Sequence, residues 1–204
     1  MKKIFKNIII ITLLLFLTGC NYTELNDLSI IKSIGINYTN NEYTLYASLI
    51  DEIDKENKPT IKLIKTNNKD INKCFQELIT LSNKDIHYSH IDLLILSTNL
   101  TNNELKEIFN YFLTNKEFRN DFTTISSNNI NKLLENAKYD EIEQLISNNK
   151  HKKIIKVDIE TIIKNYYETK SFNLSLLDYE NNKVIYKYNI KYKNNIIERI
   201  NYEK

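Results

Sequence analysis

Four polar residues crowd one short stretch, His87, Ser89, His90 and Asp92, and these are the side-chain types that ligate metal ions or pair as nucleophile and base. Their spacing argues against both uses. In an extended segment His87 and His90 point to opposite faces, so they do not converge as two histidines one helical turn apart would. Ser89 and His90 are adjacent and therefore not in contact, no G-x-S-x-G elbow occurs, and the third histidine sits in the basic run His151, Lys152, Lys153. Asp51, Glu52, Asp54 and Glu56 make an acidic stretch without the glycine and closing glutamate of a calcium loop, and read as a solvated turn. No catalytic residue, metal or cofactor is assigned from these groups. Cys74 falls within Ile71, Cys74, Phe75, Leu78 and Ile79, a helical apolar stripe, and reads as a small buried hydrophobe sooner than a reactive thiol.

Such residues need elements to hold them. Leu28 to Asn37 and Glu42 to Ile53 are β-rich runs that read as a hairpin; Tyr43, Leu45, Ala47 and Leu49 share one face, while Tyr46 makes the other less polar. Thr60 to Thr66 alternates after Pro59 as a third strand. Lys69 to Ser82 switches to helical period, with Asp70 or Asn68 as N-cap. His90 to Ser97 is an almost continuous apolar run, as in a central strand buried on both faces. Thr101-Asn102-Asn103-Glu104 has capping-box spacing, and Leu105, Ile108, Phe109, Phe112 and Leu113 continue one helical face. Asp121 to Ile125 reads as a short strand, Asn129 to Ala137 and Asp140 to Ser147 as small helices, and Asp158 to Thr169 as a helix with Ile159, Ile162, Ile163 and Tyr166 inward. From Phe172 to Tyr202 the chain becomes Tyr-rich strands with turns at Asn181-Asn182 and Asn194-Asn195. The fold class is α+β: a mixed sheet of about four to five strands packed with helices over 20–150, then a partial β-rich second domain over 151–204. Those last strands are too few to bury a core alone and must lean on something else.

The N-terminus carries a different chemistry. Met1 to Asn7 is basic, and Ile8 to Leu17 is an unbroken run of ten residues, apolar apart from Thr12. A bilayer core of ~30 Å needs about 20 helical residues, so the run is a signal-peptide core and not a permanent span. It ends in Leu17-Thr18-Gly19-Cys20, which resembles a bacterial lipobox. In that motif cleavage falls between Gly19 and Cys20, the Cys20 sulfur carries a diacylglycerol, and residues 1–19 are lost. An ordinary secretory peptide with a coincidental cysteine is the alternative. Acyl chains contribute ~0.8 kcal/mol per buried methylene, and two hold a protein at a membrane where one does not. The mature chain would then keep Cys74 as its single free thiol and form no internal disulfide.

Composition narrows the rest. In 204 residues, 42% are hydrophobic and 26% charged, enough apolar material for a core, whereas two glycines and one proline leave almost nothing from which to build a phosphate-cradling loop. Loss of Lys2, Lys3 and Lys6 with the leader would leave 25 basic against 26 acidic side chains. A near-neutral surface with scattered lysines lacks the footprint of phosphate-backbone binding, so nucleic acid is not an expected partner.

The residues after the lipobox then matter: Cys20-Asn21-Tyr22-Thr23-Glu24-Leu25-Asn26-Asp27-Leu28, followed by Ile34-Gly35-Ile36-Asn37. Tyr88-Ser89-His90-Ile91-Asp92-Leu93-Leu94-Ile95-Leu96 and Phe109 to Arg119 (FNYFLTNKEFR) follow in order. These four blocks resemble the Ger(x)C family, the C subunits of spore germinant receptors, over about residues 17–126 and more loosely over 127–170. Asn21 stands where the family has Trp, Asn37 where it has Asp, and Lys116 falls in the family's Arg-Asp-Pro-Glu-x-Arg-like turn. Family members continue through further α+β domains, so the resemblance implies a chain shortened at the C-terminus, whether a short variant, a split gene product or a truncated relative.

The resemblance implies a non-enzymatic subunit, lipid-anchored on the extracytoplasmic face of the spore inner membrane beside integral membrane A- and B-type receptor subunits, acting by scaffolding or assembly. Within it Gly35 permits close backbone approach or a bulge in the first strand. Glu24, Asn26 and Asp27 lie just above the bilayer as contacts to an integral partner, or as a solvated tether. The other reading is an extracytoplasmic ligand-binding or adhesion lipoprotein unrelated to germination.

Overall fold

Asn40 and Asn41 take left-handed backbone, φ 54° and 61°, as a two-residue hairpin loop demands, and Asn tolerates that region better than other side chains. They join β1 (Leu28–Thr39) to β2 (Glu42–Ile53), which pair antiparallel with Gly35 opposite Tyr46. The same device, Asn181 and Asn182 at φ 51° and 59°, joins β8 (Ser171–Glu180) to β9 (Lys183–Lys193). The computed structural model describes residues 28–200 except 54–58, 83, 138, 149–152 and 195; the side chains of 51–53, 59, 60 and 139 are likewise outside it.

The other elements are β3 (Pro59–Asn68), α1 (Ile71–Ser82), β4 (Asp85–His87), β5 (Leu93–Ser97), α2 (Asn102–Thr114), β6 (Thr123–Ser127), α3 (Ile130–Asn136), α4 (Tyr139–Ser147), β7 (Val157–Asp158), α5 (Ile159–Thr169) and β10 (Ile196–Ile200). The class is α+β as expected, but the sheet is larger than four to five strands. Among the described residues ten strands join one mixed sheet in the order β10-β9-β8-β6-β5-β1-β2-β3, with β4 on β1 and β7 on β6. Strands β1, β5 and β6 run parallel; β5 is buried throughout, the expected central strand. The Tyr-rich strands enter the same sheet because β8 lies parallel to β6, registered at Ser126 opposite Leu176. Joining an existing sheet gives them the core that a three-strand meander lacks.

Two apolar cores lie on the two faces. Ile34, Ile36, Leu45, Leu94 and Leu96 pack with residues of α1, α2 and α5; Tyr46, Leu93, Ile95 and Ile125 pack with residues of α3 and α4. Alternation along β2 therefore sends Tyr43, Leu45, Ala47 and Leu49 to one core and Tyr46 to the other. Each fully buried aliphatic side chain contributes roughly 1.5–3 kcal/mol. Helix starts follow the caps that the sequence offers. Thr101 and Glu104 form the capping box of α2, and Asp158 accepts from the Thr161 N–H at 2.7 Å at α5. At α1 it is Asp70 that caps, accepting from the Asn72 N–H at 2.8 Å, while Asn68, two residues earlier, accepts from the Asp70 N–H.

Two inward assignments need correction. Ile79 of α1 and Leu113 of α2 are exposed, and Ser82 instead of Ile79 completes the buried face of α1. The fourth strand also begins later than His90, because residues 89–92 turn before β5 can pair with β1.

Candidate functional site

The polar cluster at 87–92 is spread over a strand end and a turn. His87 closes β4 and is exposed, His90 is exposed in the turn, and Ser89 is half-buried. Asp92 pairs with Lys32 across the sheet at 2.8 Å, while its N–H donates to the Lys32 carbonyl and its own carbonyl accepts from the Thr123 N–H. That residue thus ties the central strands β1, β5 and β6 together just before β5 and β6 begin. Among the described residues no group of three or more His, Cys, Asp and Glu side chains is close enough to hold a metal ion.

Between His87 and His90 the chain turns inward at Tyr88, which is buried against Phe118 with ring centroids 4.8 Å apart. Phe75 of α1 stacks on Tyr111 at 4.2 Å, and Phe112 meets Phe118 at 5.0 Å and Phe122 at 5.5 Å. This aromatic cluster brings the Tyr88–Leu96 and Phe109–Arg119 blocks together in space. Where they meet, beside α4, a cleft of about 260 Å³ opens. Its floor includes Ile91, Leu93 and Phe122, and its mouth includes the Arg119–Asp121 ion pair at 2.6 Å. Burial pushes the Tyr111 hydroxyl up to about 12 and raises that of Tyr88 as well, so both rings are neutral packing groups at ordinary pH.

Cys74 is fully buried. Its Sγ lies 3.7 Å from the Tyr43 carbonyl, and burial pushes the thiol up to about 11, which keeps it protonated and unreactive. Tyr43, beside it in the sheet, donates to a Glu107 carboxylate oxygen at 2.7 Å. Gly35 serves close approach and not a bulge: the register shift in β1 falls between Ile31 and Ser33, whereas α3 packs directly on Gly35.

One polar arrangement went unforeseen. Where β6 meets β8 and β9, Tyr192 donates to the Ser97 carbonyl at 3.1 Å and lies 3.2 Å from the Ser126 hydroxyl. Asp178, also buried, accepts from the Ser127 hydroxyl at 2.8 Å and from the backbone and side-chain N–H groups of Asn128. Ser175 donates separately to Asn189 at 2.6 Å, and this pair binds backbone groups of Lys153 and Ile155. The signal was available only in part: Asp178 follows the apolar Leu176-Leu177 and Asn189 precedes Ile190, whereas β6, TTISS, is polar almost throughout and gives Ser126 no contrast. Their common location needed the strand order. These bonds satisfy buried polar groups and hold the two halves of the sheet in register, which is structural work.

Cys20 and Gly19, and the proposed contacts Glu24, Asn26 and Asp27, lie outside the described residues, as do the side chains of the acidic stretch 51–56. Among the described residues no helix is long and apolar enough to cross a membrane.

Comparison with known families gives a match to the model described as the spore germination protein N-terminal domain, over residues 21–179. No curated protein and no solved structure matches the chain. The matched span runs from the residue after Cys20 through the central strands and the aromatic cluster to β8. The chain belongs to the Ger(x)C family of spore germination proteins, and its role lies in germination.

Proposed function

We propose that this protein is a lipid-anchored subunit of a spore germinant receptor complex, held on the extracytoplasmic face of the spore inner membrane by diacylglycerol on Cys20. It works by scaffolding or assembly beside integral membrane A- and B-type subunits, without catalysis of its own. The observation that carries this reading is positional: the family's N-terminal domain begins at residue 21, directly behind the lipobox cysteine. An acylated cysteine at that point becomes the first residue of a domain that then needs no membrane span of its own. The buried, protonated Cys74 and the Lys32–Asp92 pair are groups occupied in holding the fold.

Deleting the gene in a sporulating host and scoring nutrient-triggered germination tests the role. Restoration by the wild-type chain but not by a Cys20→Ser chain is the expected outcome. Normal germination of the deletion strain, with related receptor genes also removed, would contradict it. The cleft at Arg119 favours one refinement, a ligand or peptide site within the same complex. An Arg119→Glu chain that is anchored and stable yet fails to co-purify with the integral subunits would place assembly there.

A further inference from the structure

Six large apolar side chains are exposed among the described residues: Ile61, Ile79, Leu81, Leu113, Tyr167 and Ile196. Scattered singly, such residues need no account. Four of them collect at one end of the molecule. Ile61 pairs with Ile50, and Ile50 with Ile30, which itself pairs with His87, so Ile61 lies level with the start of β1 and with β4. Ile79 and Leu81 occupy the last turn of α1, which leads within three residues into β4, where Asp85 pairs with Leu28. Leu113 occupies the last turn of α2, beside Phe112 and its contact with Phe118, the ring that packs on Tyr88 just beyond β4. Neither helix carries a basic residue in its last turn, where a cation would oppose the exposed carbonyls. Exposed aliphatics stand there instead.

Leu28 is where the described chain starts, so this is also the end of the domain from which the tether leaves. Eight residue steps separate Cys20 from Leu28, a reach of at most roughly 28 Å. Strand β1, from Leu28 to Thr39, is longer, at about 36 Å. The tether holds the near end of the sheet within roughly 28 Å of the bilayer, whereas the far end with the Asn40-Asn41 turn can stand about 36 Å farther away. We propose that this near end, through Ile61, Ile79, Leu81 and Leu113, rests in the headgroup layer of the membrane that holds the lipid. The inference depends on the anchor at Cys20. Lys62, Lys84 and Lys116 lie close in sequence to the four aliphatics and Asp85 and Glu117 directly after two of these lysines, so the contact is apolar and only weakly salt-dependent.

The full chain, processed by its host and reconstituted into vesicles of phosphatidylcholine and phosphatidylglycerol, supplies the test. Single Ile79→Cys, Leu113→Cys and Ile196→Cys variants are labelled with a polarity-sensitive fluorophore. Buried Cys74 and an acylated Cys20 do not react. The expected result is a blue shift and quenching by lipid-borne quenchers at 79 and 113 but not at 196, little changed by salt. Equal emission at all three positions, with Cys20 shown by mass to be acylated, would overturn the inference while leaving the anchor intact. A shift seen only in native membranes containing the integral subunits would assign the face to a protein partner and overturn it as well. An unacylated Cys20 would remove the anchor and this inference together.

Discussion

Gly35 of β1 and Ile130 of α3 stand so close that a Cβ on Gly35 would lie 2.3 Å from the Ile130 Cγ2, with Leu134 Cδ1 at 3.2 Å. The missing side chain lets a helix sit directly on the sheet. Gly35→Ala is expected to destabilise the protein by about 1–3 kcal/mol through overpacking. Urea denaturation checks it, together with an Ile130→Ala partner. The double variant should lose less than the sum of the singles, because the second change vacates the space that the first invades. Additive losses would mean that the two side chains do not compete for one volume.

Asp158 caps α5, and the Thr161 N–H it accepts from holds its carboxyl below the usual value of 3.8. A lowered carboxyl contributes stability above that value and loses it as pH falls through the folded-state value. Asp158→Ala should cost about 1 kcal/mol at neutral pH, the usual loss of a cap. Asp158→Asn keeps an acceptor and should flatten part of the acid limb. Thermal melts from neutral to acid pH that superimpose for wild type and Asn variant would refute the assignment.

Tyrosine titration gives a sign in the other direction. Burial raises Tyr43, Tyr88, Tyr111 and Tyr192 above the ordinary value of 10.0. The unfolded chain therefore releases these protons first, and stability falls as pH rises past 10. Ultraviolet absorbance should show these tyrosinates forming together with loss of circular dichroism. Smooth titration of every tyrosine in the folded protein would contradict the burial.

At the junction of β6 and β8, Tyr192→Phe should cost about 1 kcal/mol. Asp178→Ala should cost about 1–3 kcal/mol, since it leaves the buried Ser127 hydroxyl without its acceptor. Hydrogen exchange should report the larger loss of protection in β8 and β9, not in β1 and β2. Uniform loss across the sheet would show that the junction does not hold the last strands separately.

Local features were the legible ones. Paired asparagines marked the hairpins, Thr101 with Glu104 marked a helix start, and the apolar run of β5 marked the centre of the sheet. Each is decided by a few neighbouring residues. That β8–β10 enter the first sheet was not legible, because a strand's pattern says which face it buries and not which strand lies beside it. The misplaced Ile79 and Leu113 share one cause. Each lies eight positions after the first stripe residue, Ile71 or Leu105, and eight helical steps drift about 80° from the buried line. The same drift leaves both side chains facing out at the end of the domain where the described chain starts. Cys20 is proposed from register alone and lies outside the described residues, while the cleft was not legible, since its walls come from four separated segments.

The anchor on which this account rests is read most directly from the mass of the mature N-terminal peptide in the membrane fraction of sporulating cells. The predicted result is a peptide beginning at Cys20 and carrying diacylglycerol. A peptide that begins elsewhere, or begins at Cys20 with a free thiol, would contradict it.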